Sequence, residues 1–215
     1  MKFILSGLLF FGALSAQAKI VTRSVGVVGK NVITSRQVKI SFYIDKALTF
    51  ENTPVNKIPK TGWGLDEQSE PFKKQLNQKM LEMMVNEEAE NFSVAHIEKE
   101  IIKDKSKKAI AILKPIEAWK DLEVEESEVE SIINLKYRTR AFLKFKAETA
   151  NQVISDEEGR SYYERNQVKF SGLPYDQVKG TIKEFLRQEQ TQEKLKDWFE
   201  VLKRKYKVKN LDNNP

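Results

Sequence analysis

The chain has 215 residues, 40% hydrophobic and 32% charged, with a formal net charge of +6, one histidine and no cysteine. Thiol catalysis, zinc–thiolate sites, iron–sulfur clusters and disulfide frameworks are excluded, and with His96 alone a His-rich metal site is impossible. The length suffices for one domain with a real core and no covalent or metal staple.

Met1-Lys2, the apolar run Phe3 to Leu14 and the ending Ala16-Gln17-Ala18 have the charged start, short greasy middle and small-x-small close of a secretory signal peptide. The run is too short for the roughly 20 residues that span a bilayer, so cleavage before Lys19 is expected rather than anchoring. Position 19 is not a cysteine, so a lipid anchor is not expected either. The mature product, residues 19–215, is expected outside the cytoplasm as a free single domain, with 36 basic and 31 acidic residues.

Ile20 to Val28 is rich in β-branched residues, Gly29-Lys30-Asn31 is turn chemistry, and Val32-Ile33 resumes a strand, which predicts a β-hairpin. Thr34 and Gln37 then form a capping-box pattern opening a helix through Val38, Ile40, Phe42, Ile44 and Leu48. A Pro/Gly-containing loop at 49–70 follows, long enough to suggest a function, with Trp63 as its exposed candidate.

A helix is predicted from Pro71 to Asn91 with Phe72, Leu76, Met80, Met83, Met84 and Val85 along it. Two further helical segments, Val94 to Ile102 and Ser106 to Trp119, come next, the second kinked or broken near Pro115. Ser127/Glu130 and Ser155/Glu158 repeat the capping-box pattern. The first opens a helix through Val129, Ile132, Ile133, Phe142, Leu143 and Phe145; the second opens one carrying Tyr162 and Tyr163. After Gly172-Leu173-Pro174 a long helix runs over 175–206, with an all-polar middle, Arg187 to Lys194, expected to face water. Val208 to Leu211 alternates and is expected to pair with the hairpin. The fold class is therefore mainly α, with a short N-terminal β-hairpin joined by a C-terminal strand.

These segments carry a resemblance. Val25-Gly-Val-Val-Gly-Lys-Asn-Val-Ile-Thr34, the Leu81 to Ala89 helix, Arg140-Ala-Phe-Leu-Lys-Phe145, Val153-Ile-Ser-Asp-Glu-Glu158 with Tyr162-Tyr163-Glu-Arg-Asn166, and the ending Trp198 to Val208 resemble, in that order, the N-terminal module of SurA-type periplasmic chaperones. Family members commonly carry parvulin-type prolyl isomerase domains between the Tyr-Tyr-x-x-Asn helix and the last helix. Here only about eight residues join Asn166 to Tyr175, and the single histidine does not match a parvulin site, so isomerase activity is not expected.

The resemblance implies an ATP-independent holding chaperone of the periplasm for unfolded outer-membrane or exported polypeptides. The alternative is a dedicated assembly subunit for one envelope partner. The client-binding candidates are Met80, Met83 and Met84, flexible polarizable residues clustered on one helix, together with Phe42, Tyr43 and Trp63. Each also has a reading as core, the commoner fate of apolar residues at helical spacing. His96 is read as structural, because no nucleophile motif, phosphate loop or carboxylate pair accompanies it. The basic runs Lys103 to Lys108 and Lys203 to Lys209 accompany no nucleic-acid motif. No cofactor, metal, nucleic acid or stable membrane insertion is expected, while homo-oligomers remain open.

Overall fold

The computed structural model describes residues 22–92, 97–150 and 153–212. Residues 1–18, expected to be a signal peptide, and His96 lie outside the described residues.

Strands β1 (Ser24–Val28) and β2 (Asn31–Thr34) form the expected hairpin around Gly29, whose φ is +60°. Strand β3 (Lys209–Asn210) adds antiparallel to the far side of β1, with Gly26 opposite Asn210 and Val27 opposite Lys209, so the order is β2-β1-β3. Two more backbone bonds fasten this closure: Gly29 N–H to Tyr206 C=O at 2.6 Å, and Leu211 N–H to Val25 C=O at 2.9 Å. Gly26 lies close against the helix beneath: a Cβ there would stand 3.3 Å from both Leu76 Cδ1 and Met80 Sδ, a tight contact to which those side chains would have to yield by a few tenths of an ångström.

Helix α1 (Ser35–Thr49) begins with the Thr34/Gln37 box: Thr34 Oγ1 accepts from Gln37 N–H at 3.3 Å, and Thr34 N–H donates to Gln37 Oε1 at 3.0 Å. Helix α2 (Glu70–Phe92) is as long as its apolar stripe predicts. Helix α3 (Lys99–Leu113) corrects the reading of two separate segments, since it runs unbroken through the polar stretch Lys103 to Lys105 and starts only after Glu98. Its last bond, Lys114 N–H to Ile110 C=O at 2.8 Å, falls just before Pro115, which has no amide to continue the ladder. A short helix α4 (Glu117–Lys120) follows.

Helix α5 (Glu126–Ala150) starts a residue before Ser127. The Glu125 carbonyl already accepts from Glu128 and Val129 N–H, so Ser127 sits inside the first turn and is not the cap that the Ser127/Glu130 spacing suggests. The Ser155/Glu158 box is formed and opens α6 (Asp156–Arg165). A 3₁₀ turn (Gln167–Phe170) and a turn with Ser171 and Gly172 at positive φ lead into α7 (Tyr175–Lys205), 31 residues long.

Two apolar clusters make up the body. One gathers Ile40 and Tyr43 of α1, Ile112 of α3, Trp119 of α4 and Ile133 of α5. The other lies under the sheet and joins Val25, Ile33, Phe72, Leu76, Phe142 and Leu202. Outside this body, α6 packs on the first half of α7 through ring contacts: Tyr162 with Phe185 at 5.4 Å and Tyr163 with Tyr175 at 5.7 Å. A Cβ on Gly159 would come within 2.5 Å of Tyr175 Oη, so glycine permits this close approach. The polar middle of α7 is mostly exposed, although Gln190 is half-buried with its amide 3.5 Å from Glu158 Oε1.

Candidate functional site

The six candidate residues are not brought together. Phe42, Tyr43 and Trp63 belong to the first cluster and the three methionines to the second. Trp63 corrects the expectation of an exposed loop residue most clearly. It is 3% exposed, stacks on Tyr43 at 6.3 Å, donates its indole N–H to Pro59 C=O at 2.6 Å, and lies under Lys46 Nζ at 4.8 Å. The loop folds back because this indole fills the core between α1 and α4, a large apolar gain that a mobile clamp would forgo. Tyr43, Met80 and Met84 are buried as well, and burial pushes the Tyr43 hydroxyl above the usual tyrosine range. These four offer no open contact area, whereas Met83 and Phe42 are only partly covered.

Between the two clusters runs a seam of buried polar groups that sequence reading missed. Lys136 of α5 is 1% exposed, and its ammonium bonds Asp45 Oδ2 of α1 at 2.8 Å and Glu82 of α2 at 2.9 and 3.1 Å. Gln75 reaches Ser41 Oγ at 3.2 Å and Asp45 Oδ2 at 2.9 Å, and Thr139 Oγ1 donates to Glu82 C=O at 3.3 Å. Burial pushes the Lys79 ammonium below the usual lysine range, against the attraction of Glu82. The seam fixes how α1, α2 and α5 sit against one another. The signal for it was Lys136 standing in step with Val129, Ile133 and Thr139 on the buried stripe of α5.

Two aromatic side chains left open to solvent, Phe92 and Phe145, stand elsewhere, where α2, α5 and α7 converge. Phe142 of α5, fully buried, forms a floor. Around it stand Phe92 from the end of α2 at 5.8 Å, Phe145 at 6.1 Å and Trp198 of α7 at 6.1 Å between ring centroids. Phe92 is 57% exposed and Phe145 41%, and Trp198 is half-buried with Phe199 beside it at 5.1 Å. Lys146 Nζ stands over two of these rings, 5.9 Å from Phe92 and 5.3 Å from Trp198. Three rigid helices thus present an aromatic face with one ammonium at its edge. Spacing could have pointed to it: Phe142, Phe145 and Lys146 fall at i, i+3 and i+4 on one helix face.

A separate cavity of about 610 Å³ opens between α3 and α5, with Lys99, Lys103 and Arg138 facing Glu130 and Asn134 over Ile102. Its polar groups are mixed in sign, and Arg138 is already engaged by Glu90 at 2.5 Å and Asn86 at 2.8 Å. Among the described residues, no cluster of His, Asp or Glu has the makings of a metal site, and no helix is long and apolar enough to cross a membrane. Compared with family models, with curated proteins and with solved structures, the chain finds no match.

Proposed function

We propose that the chain is an ATP-independent holding chaperone that keeps unfolded outer-membrane or other exported polypeptides from aggregating, working outside the cytoplasm after removal of residues 1–18. The observation that supports this reading best is the aromatic face. Its exposed rings, Phe92 and Phe145, surround a buried ring and belong to helices anchored in the core, so apolar area is available to a client without any unfolding of the protein itself. Burying apolar surface contributes about 25 cal/mol per Å², and aromatic surface does so with little regard to the partner's sequence, as an unselective holder needs. The SurA-like order of motifs supports the same reading.

The test is light scattering of an unfolded outer-membrane β-barrel protein diluted from denaturant, without nucleotide. The wild type should suppress aggregation and leave the rate of prolyl isomerisation unchanged. Replacing Phe92→Ser and Phe145→Ser together should weaken suppression while circular dichroism stays that of the wild type, because neither ring is part of the closed core. A wild type that leaves aggregation untouched would overturn the proposal and favour a dedicated assembly subunit for one envelope partner.

A further inference from the structure

The ammonium at the edge of the aromatic face has unused charge. Lys146 sits half-buried one helical turn beyond Phe142, above the Phe92 and Trp198 rings, and takes part in none of the ion pairs among the described residues. Four acids of these helices are engaged elsewhere: Glu90 by Arg138 at 2.5 Å, Glu88 by Lys205 and by Tyr206 at 2.8 Å, Glu148 by Lys144 at 3.9 Å, and Glu200 by Lys203 at 2.6 Å, while Asp197, next to Trp198 in the sequence, is exposed. A second cation stands on the same side of α5, one turn further on, where Lys194 of α7 donates to the Ala150 carbonyl at 3.3 Å.

A purely apolar segment laid over this face would cover an ammonium that has no counter-charge, which is costly. A basic segment would add repulsion to that cost and compete for the rings. A segment with an aromatic side chain beside an Asp or Glu meets both demands, since its ring packs on Phe92 or Trp198 while its carboxylate meets Lys146. We propose that Lys146 makes this face selective for client segments in which an aromatic residue stands next to a carboxylate. The inference rests on the holding function and names the class of segment that is held.

The experiment measures anisotropy of three labelled peptides with the same aromatic residues, flanked by Asp, by Asn or by Lys, against the full mature chain. The Asp peptide should bind about fivefold tighter than the Asn peptide, the upper end of what one accessible ion pair contributes, with the Lys peptide weakest and the spread shrinking as salt is raised. Lys146→Gln should equalise the Asp and Asn peptides, and Lys146→Glu should reverse the order. Lys107→Ala, a change of equal charge on the exposed side of α3, should leave the order intact and so separate a local effect from the overall basic charge. Circular dichroism and aggregation suppression are followed in parallel for every variant. Equal affinities in the wild type, or an order that Lys146→Gln and Lys146→Glu do not move, overturns the selectivity even where holding persists. A wild type that neither holds clients nor binds any peptide overturns the holding function and the selectivity together.

Discussion

Helix α7 passes through two regions of the molecule, and its halves are held in different ways. The C-terminal half is locked by partners remote in sequence: Leu202 lies in the cluster beneath the sheet, Trp198 meets Phe142, and Lys205 and Tyr206 hold the buried Glu88 of α2. The N-terminal half is held by its sequence neighbour α6 through ring contacts, the bond from Tyr175 Oη to Asp156 C=O at 3.3 Å and the ion pair of Lys183 with Asp156. Around that second region Val153, Val168, Leu173 and Phe185 stay exposed. A continuous helix therefore joins a body that depends on long-range closure to a lobe that depends on local pairing. The body should unfold as one cooperative unit, and the lobe should open with less effect on the rest.

The sharpest way to break the body is Lys136→Met. Removing the ammonium leaves Glu82 buried and Asp45 partly buried without their cation, and breaking such a pair costs about 3–5 kcal/mol. Chemical denaturation should show this loss with both core clusters melting together, because the seam lies between them. A smaller and more confined effect is expected from Ile182→Ala in the half of α7 that packs on α6, where truncating a buried isoleucine costs about 2–5 kcal/mol at most. Amide exchange should quicken in α6 and the start of α7 while α2 and α5 keep their protection. Equal loss of protection in both regions would show that the lobe and the body are one cooperative unit.

The smallest effect concerns pH. Bonds from the Ser155 amide and hydroxyl hold the Glu158 carboxyl below its ordinary value of 4.5. A carboxylate depressed in the folded state stabilises the fold above its ordinary value, and that contribution is lost as pH falls through the folded value. The first turn of α6 should therefore loosen in acid before the body does. Glu158→Gln, which retains the capping-box geometry without a titrating group, should reduce this pH dependence to the part carried by Asp156, whose carboxyl the bond from Lys183 also holds below its ordinary value. Nuclear magnetic resonance of the α6 amides between pH 6 and 3 checks both.

How much could be read from the sequence follows from the range of the interactions. The Thr34/Gln37 and Ser155/Glu158 boxes are complete within four residues, so their patterns carry the whole of their chemistry. Ser127/Glu130 has the same spacing, yet Glu125 offers its carbonyl two residues earlier, and a pattern of residue types does not say which of two competing starts wins. The long loop was placed by its prolines and glycines, but its course was decided by the Trp63 indole finding Tyr43, a contact between segments that no local pattern links. The same reasoning explains the aromatic face. Phe142, Phe145 and Trp198 were visible as apolar positions of two helices, and only the crossing of α2, α5 and α7 shows which of them are floor and which are open. Lys136 was hidden for the opposite reason, because a charged residue is read as solvent-facing unless its partners from α1 and α2 are known.

The placement of β3 sets an order of events. The strand it joins, β1, is among the first described elements to be made, and the hairpin with β2 can form as soon as both have emerged. The other edge of β1, with the apolar surface that Leu202 covers, stays open until the whole of α7 has followed. Through most of its synthesis the chain therefore carries an incomplete sheet, and the closing step brings together residues from opposite ends of the described sequence, the kind of contact that slows folding.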